Sequence, residues 1–259
     1  LTPNAPGDRA LAEKIAVLTR HADQALVAEP GFDARAAIDA LSRHAAAEAP
    51  GAWRCDDEGT VEAARIGWRL RHGEPAGEGD PAIGRCLGAL PEPWRVPALL
   101  SLAFAEDFAV IDGASARIPW LAVCLPSHWA PQAKVGRHFA EVHAPVADNR
   151  LLLAASDHLA RLVTGTQRWE RFVWTITSQP QLDMHPLRVA QPSWPDDIDA
   201  EALAARATFR TERQTFIPLP QAGLAVFTIL VDCEPLTQAI DSAAKAKRQC
   251  QEIGRGGRN

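Results

Sequence analysis

Two histidines stand five residues apart in the segment WAPQAKVGRHFAEVHAPVADN, which runs from Trp129 to Asn149. A neutral imidazole at the end of a helix, directed into an apolar pocket, is suited to bind iron from one side. His138 and His143 are therefore candidate metal ligands. The spacing alone does not require this role, because a histidine on the inner edge of a helix is most often a hydrogen-bonded structural residue.

The boundaries of a helix are marked around these histidines. Pro131 fits a first helical turn, where the amide position has no partner within the helix, and Pro145 stops the helix just after His143. The predicted helix therefore spans residues 132–143. Its apolar stripe, at the edge of which His143 lies, consists of Val135, Phe139 and Val142.

A second group of candidates lies in the run RTERQT, where charged residues alternate along a predicted strand. The alternation places Arg210 and Glu212 on one face and Arg213 on the other. Two charges that face a protein core are costly unless they are paired or bind a ligand. A solvated strand face with a cross-strand ion pair is the commoner arrangement, and the residues alone favour it.

Composition excludes several classes of function. The 259-residue chain has a formal net charge of -5, whereas a nucleic-acid-binding protein usually carries a basic face. Its longest apolar runs are strand-sized and fall short of the roughly 20 residues that span a bilayer. Its five cysteines form no CxxC pair, so neither a zinc ribbon nor a disulfide framework is predicted, and a reducing cytoplasm fits best.

The elements that would position the candidate residues fall into two parts. Residues 8–29 and 33–48 are predicted helices, because apolar residues recur in them at helical spacing. A short helix is predicted at 81–89 within a loop-rich stretch. Residues 1–100 are thus expected to form a helical N-terminal layer packed on the core.

Residues 101–259 alternate short β-rich runs with helices, which indicates an α+β fold with an antiparallel sheet and helices on one face. The predicted strands are 108–112, 119–125, 171–177, 207–216 and 224–231. The predicted helices are 132–143, 150–164 and 235–251. Residues 179–199 form a long predicted loop, and loops of this length are often functional.

Four motifs in this second part resemble those of the haem-dependent oxidative N-demethylase family, to which the haem subunit of dimethylamine monooxygenase belongs. They are CLPSHW, KVGRHFAEVHAPV, RFVWTI and RTERQTFIPLPQAGLAVFTI, and they occur in the order and at about the spacing expected of that family. The resemblance covers about residues 105–240, and its most specific piece is the run Glu212–Thr215 followed by an apolar strand. Val173 departs from the pattern, because an asparagine is expected there, and this affects the substrate more than the fold.

The resemblance implies a PAS-like antiparallel sheet that holds haem b and a reaction that oxidises a methyl group next to an amine nitrogen. The implied partners are a small amine, O2 and an external flavin or iron-sulfur reductase, with no nucleic acid and no membrane, and a homo-oligomer is compatible with them. The sequence has no GxGxxG motif after a strand and no cysteine cluster for an iron-sulfur centre. Electrons are therefore expected to come from another protein.

Transferred residue by residue, the resemblance makes His143 the expected proximal iron ligand, because it is the histidine within the matched helix motif. His138 is the competitor, and His128, beside Trp129, is third. Replacement of the true ligand by Ala is expected to abolish haem absorption, whereas replacement of the others is not.

On the strands, the resemblance makes Glu212 and Arg210 the expected distal residues. An arginine beside haem can pair with a propionate or donate to bound oxygen, and a carboxylate can receive the ammonium group of an amine. Arg171 is expected to line the same pocket. Trp174 lies on the same predicted strand as Arg171, and core packing is its more common role, although a pocket contact is also open.

Further cofactor contacts are expected from cations outside this distal set. Arg213 is a candidate for a haem propionate. Lys134 and Arg137 lie on the histidine helix. The sequence does not distinguish between propionate binding and exposure to water for these two residues.

Two other functions remain open from the sequence. One is a PAS-like haem sensor of a gas, without turnover, and the other is a scaffold subunit that kept the fold and lost haem, which the departure at Val173 makes conceivable. A sensor usually passes its signal to an attached output domain. The single helix and short tail that follow the last predicted strand favour the enzyme.

Overall fold

The chain folds around one large antiparallel sheet. The computed structural model describes residues 1–143, 156–190, 194–195 and 197–242. The elements of the first part are α1 (Arg9–Arg20), α2 (Ala22–Ala25), β1 (Leu26–Ala28), α3 (Arg35–Glu48), β2 (Trp53–Cys55), β3 (Val61–Ala63), β4 (Trp68–Arg71), β5 (Glu74–Gly77), α4 (Pro81–Ala89) and α5 (Glu92–Ala103).

The predicted helices of this part are confirmed except for the end of the first. Helices α3 and α4 occupy the predicted positions. The helix predicted over 8–29 was wrong at its C-terminal end, because α2 ends at Ala25 and Leu26–Ala28 form an edge strand of the large sheet. Leucine and alanine favour helices, so pairing across the sheet decides the conformation here, not intrinsic propensity.

A small four-stranded sheet, in the order β2-β3-β4-β5, lies within the stretch predicted as a helical layer. Its first turn is closed by the carboxylate of Asp56, which accepts the amides of Glu58 and Thr60. Gly59 in the same turn has φ 80°, a backbone conformation that glycine adopts without strain. Strands of three or four residues are too short to produce a recognisable alternation in the sequence.

The second part supplies most of the large sheet. Its elements are β6 (Asp107–Asp112), β7 (Arg117–Ala122), α6 (Phe139–His143), α7 (Ser156–Val163), β8 (Trp169–Thr177), α8 (Ala200–Arg206), β9 (Thr208–Leu219) and β10 (Leu224–Pro235). The strand order is β1-β7-β6-β10-β9-β8, and all neighbours are antiparallel. The α+β class and the five strands predicted for this part are confirmed. The PAS-like assignment stays a prediction.

One face of the large sheet packs against the N-terminal helices. Val110 and Val226 on this face belong to one buried cluster with Leu18 and Leu41 of the helices. Burial of such apolar side chains is the main favourable contribution to the packing of the two parts.

A buried ion pair joins helix α1 to the sheet at the start of β6. Lys14 Nζ lies 3.0 Å from a carboxylate oxygen of Asp107, and both side chains are almost completely buried. Lys14 also donates to the carbonyl oxygens of Phe104 and Glu106, at 3.1 and 2.6 Å. The two carbonyls accept hydrogen bonds from the ammonium group and Asp107 supplies the opposite charge, and such pairing allows a lysine to be tolerated in a core.

The helix predicted over 132–143 was wrong except at its end. Pro131–Ala133 form a turn of 3-10 helix, and α6 is a separate short helix that ends at the predicted position. Between them Gly136 has φ 70°, and its amide donates a hydrogen bond to the carbonyl of Ile118 at 2.8 Å. The segment therefore bonds to β7 and does not form an α-helix. The predicted stop, Pro145, lies outside the described residues.

The predicted loop 179–199 packs into the fold at its middle, and residues 191–193 and 196 lie outside the described part. Met184 and His185 are completely buried, and Met184 forms a parallel bridge with Ser127. The predicted helix 235–251 is helical over 236–242, and residues 243–259 lie outside the described part. No helix within the described residues has the length and apolar character needed to cross a bilayer.

Candidate functional site

A cavity of about 320 Å³ lies on the face of the large sheet opposite the N-terminal helices, where β6 to β10 and the chain from Ser127 to Val142 meet. This volume is at the lower end of the range for small-molecule sites. The apolar wall includes Ile111, Leu121, Trp129, Phe139, Phe216 and Phe227. The polar lining groups are Ser127, Lys134, Arg171, Glu212 and Gln214.

Strand alternation brings the polar groups to this face. Along β9, Glu212 and Gln214 point to the cavity side, as residues two apart must. In the register of β8 with β9, Arg171 stands opposite Gln214 and the apolar Val173 stands opposite Glu212, so β8 adds one polar group to the two of β9. The position at which the family pattern predicts asparagine is thus a cavity position beside Glu212.

Hydrogen bonds connect these polar groups into a network centred on Glu212. One carboxylate oxygen of Glu212 accepts from the hydroxyl of Ser127, and the other accepts from the side-chain amide of Gln214 at 2.6 Å. The guanidinium Nε of Arg171 donates to the amide oxygen of Gln214 at 2.6 Å. The guanidinium also lies 5.8 Å from the ring centre of Phe216, within the range of a cation–π contact.

Two cations at the cavity have no ion-paired carboxylate. Burial lowers the pKa of Lys134, and burial lowers the pKa of Arg171 while the nearby charge of Glu212 acts in the opposite direction. Within the described part of the chain, neither side chain forms an ion pair. Lys134 Nζ donates to the carbonyl of Val142 at 2.7 Å. Two partly desolvated cations in this state suit a ligand that brings negative charge.

Arg210, expected beside the distal site, lies beneath it. The side chain is 1% exposed and does not belong to the cavity lining. Its Nε donates to Ser127 Oγ at 2.7 Å, and its terminal nitrogens donate to the carbonyls of Gln181, Leu182 and Leu125 at 3.0 to 3.2 Å. Arg210 therefore joins the cavity wall to the long loop, and it reaches Glu212 only through Ser127.

Three further residues predicted at the site lie away from the cavity. Arg213 is on the other face of β9, where it pairs with Glu106 at 3.2 Å. Trp174 also points to that face and is 65% exposed, so the expectation that it packs in the core was wrong. Arg137 is exposed and does not line the cavity.

The histidines differ in the bonding of their ring nitrogens. His138 Nε2 lies 3.0 Å from a carboxylate oxygen of Asp157, and its Nδ1 accepts the amide of Ala140, so neither nitrogen has a lone pair free for iron. His128 has two buried ring nitrogens without a hydrogen-bond partner, but it does not line the cavity. His143 ends α6, and its side chain lies outside the described residues.

The groups around the cavity fit haem. Aromatic and aliphatic walls suit the macrocycle, and Lys134 and Arg171 are cations of the kind that bind propionates. Helix α6 contributes Phe139 and Val142 to the lining, so His143 belongs to an element that borders the cavity.

Two residues of the network were not predicted from the sequence. Ser127 and Gln214 lie inside the motifs PSHW and ERQT, yet nothing in the sequence assigned them a role. Gln214 could have been found from alternation, since it follows Glu212 by two positions on the same strand. Ser127 could not, because it comes from a segment whose approach to β9 depends on the tertiary fold.

A family model covers nearly the whole chain. It is described as haem-dependent oxidative N-demethylase, alpha subunit-like, and it matches residues 10–258. No curated protein matches the chain at a significant level.

Proposed function

The chain belongs to the haem-dependent oxidative N-demethylase, alpha subunit-like family, and from this premise we propose that it binds haem b in the cavity and oxidatively removes a methyl group from a small amine. The observation that carries the proposal is an apolar cavity whose wall bears a hydrogen-bonded carboxylate, Glu212, and two cations that form no ion pair with the described residues, Lys134 and Arg171. A carboxylate suits a cationic amine, and the cations suit an anionic cofactor edge.

In this proposal each group of the chain has a separate task. Lys134 and Arg171 would hold the haem propionates. His143 would bind the iron, because it follows Val142, which borders the cavity, and because both ring nitrogens of His138 are already bonded. When bound, haem supplies the activation of O2 for oxidation of the carbon next to nitrogen.

Glu212 positions the substrate and does not carry out the oxidation. A small amine is protonated at neutral pH, and its N–H donates to the carboxylate in a charge-assisted hydrogen bond. The apolar wall, which includes Phe216 and Phe227, then accommodates the methyl groups and excludes water from them. Overall, each methyl group removed consumes one O2, two electrons and two protons, and yields the demethylated amine, formaldehyde and water.

The electrons are proposed to come from a separate flavin or iron-sulfur reductase. The sequence contains neither a GxGxxG motif after a strand nor a cysteine cluster, and the family description is that of an alpha subunit, which is compatible with further protein partners. The carboxylate also favours an amine-oxidising enzyme over a gas sensor, since a neutral diatomic gas brings no cation for Glu212 to bind.

The experiment is an absorption spectrum of the purified chain, as isolated and after addition of haem, together with two histidine variants. We expect a Soret band in the wild type and in His138→Ala, and its loss or a strong shift in His143→Ala. His138→Ala is the matched control, because it removes a histidine from the same segment. A Soret band that is kept in His143→Ala and lost in His138→Ala would move the ligand to His138. The absence of a band from the wild type after haem addition would contradict haem binding.

A further inference from the structure

We propose that Ser127 and Gln214 are positioning residues that hold Glu212 as a carboxylate accepting hydrogen bonds on both oxygens, so that the cavity selects cations that carry an N–H group. The inference rests on the proposed function, because it specifies which amines that site accepts. It adds two residues to the site and excludes one class of cation, the quaternary ammonium ions.

The hydrogen bonds on the Ser127 side of Glu212 have a fixed direction. Arginine has only donors, so in its contact with Arg210 Nε, 2.7 Å long, the oxygen of Ser127 must accept. The hydroxyl hydrogen is then free for the other partner, which is the carboxylate of Glu212. The buried guanidinium thus fixes which way the serine hydroxyl points.

The hydrogen bonds on the Gln214 side of Glu212 also have a fixed direction. Arg171 donates to the amide oxygen of Gln214, which fixes the orientation of the amide group and turns its NH2 toward Glu212. Two arginines therefore stand at the two ends of one chain of hydrogen bonds, and both halves of the chain donate toward the carboxylate between them.

A carboxylate that accepts on both oxygens has a defined requirement for its next partner. Each oxygen of Glu212 has one lone pair remaining after the bonds from Ser127 and Gln214. Because the side chain lines the cavity, these lone pairs are available to a ligand that donates. A protonated primary, secondary or tertiary amine meets the requirement, whereas a quaternary ammonium ion has the charge without the hydrogen.

Among the described residues, the charged groups that face Glu212 are positive. Arg171 faces it from β8, Lys134 from the segment that precedes α6, and Arg210 acts from below through Ser127. Removal of the Ser127 hydroxyl leaves the three cations in place, so its effect can be separated from theirs.

The test is calorimetric titration of the ferric, unreduced protein with trimethylammonium and with tetramethylammonium, which differ by the replacement of one N–H by a methyl group. We expect the wild type to prefer trimethylammonium by about tenfold or more, the value of one hydrogen bond to a charged group. Glu212→Gln should abolish the preference. Equal affinity of the wild type for the two ions would overturn the proposed selectivity.

The positioning role is tested with Ser127→Ala and with Ser42→Ala as its control. Ser42 accepts a buried hydrogen bond from Trp53 at 3.0 Å and lies away from the cavity, so its loss affects stability alone. Ser127→Ala should weaken trimethylammonium binding by about tenfold. It should also reduce the preference over tetramethylammonium, which cannot donate a hydrogen bond to Glu212. Ser42→Ala should change neither quantity.

An unchanged preference for trimethylammonium over tetramethylammonium in Ser127→Ala would refute the positioning role, even if the variant is less stable. Selective trimethylammonium binding by a protein that takes up no haem would support the inference and contradict the proposed oxidation. Haem uptake and amine turnover without the N–H preference would support the proposed oxidation and contradict the inference. The two proposals therefore fail by different measurements.

Discussion

Replacement of Arg210 by Met is expected to destabilise the fold strongly. The guanidinium is 1% exposed and donates to Ser127 Oγ and to the carbonyls of Leu125 and Leu182 at 2.7 to 3.1 Å. Met fills a similar volume and restores apolar contacts, but it leaves these acceptors without their donor. Each buried acceptor that loses its partner costs about 1–3 kcal/mol, so the expected net loss is about 3–5 kcal/mol.

The measurement is urea unfolding of Arg210→Met beside two arginine controls. Arg213→Met removes a partly exposed guanidinium, and its partner Glu106 keeps donors from Thr2, so a loss of about 1 kcal/mol or less is expected. Arg171→Met removes a cavity residue from an edge strand. It should lower the free energy of unfolding only slightly, and its main effect should be on ligand affinity. A loss of about 3–5 kcal/mol would be a large part of the roughly 5–15 kcal/mol that stabilises a typical domain.

A free energy of unfolding of Arg210→Met within about 1 kcal/mol of the wild-type value, the range of ordinary surface substitutions, would refute the expected contribution of the buried guanidinium. Such a result, combined with lost amine binding, would return Arg210 to the distal role that the sequence suggested. A cooperative, strongly destabilised variant would identify Arg210 as a residue that acts through Ser127 and the loop.

Three other perturbations have definite expected outcomes. Lys14→Met should lower the unfolding free energy by about 3–5 kcal/mol in urea titrations, because it leaves Asp107 buried without its cation; a stabilised variant would contradict this. Burial, and then the charge of Arg188, lowers the pKa of His185, so the unfolded chain takes up this proton first and stability falls as the pH drops below about 6.5. His185→Asn should flatten that part of the pH–stability curve, and an unchanged slope would count against the assignment. Trp53→Ala should cost about 3–5 kcal/mol because the ring is fully buried, whereas Trp174→Ala should cost less than about 1.5 kcal/mol because its ring is exposed and contacts Phe209 alone among the described aromatic rings.

The sequence predicts the elements whose pattern is local. Strands β8, β9 and β10 were recognisable because aromatic and β-branched residues recur in long runs, and alternation assigned Arg210 and Glu212 to one face and Arg213 to the other. Strand β1 was not recognisable, because it has only three residues, two of which, Leu26 and Ala28, favour helices, and it becomes a strand through its neighbour in the sheet.

The candidate site was predictable from the sequence only in part. Glu212 and Arg171 line the cavity, whereas Arg210 lies beneath it. The burial of Arg210 was not foreseen, because it depends on where the loop at Gln181 and Leu182 packs, and loop packing leaves no periodic signal in a sequence. For the same reason Ser127 had no assigned role, although it connects Arg210 to Glu212.

The strand order also determines when the sheet can form during synthesis. The central strand β10 is the last strand of the described residues, and it separates β6 from β9, with Val226 paired to Val110. A ribosome that has released only the first half of the protein has therefore exposed β1, β7 and β6 with an apolar edge that still lacks its neighbour. Because such distant pairings form slowly and leave strand edges open to aggregation, folding of this chain should depend on rapid completion of its C-terminal part or on chaperones that cover β6 until then.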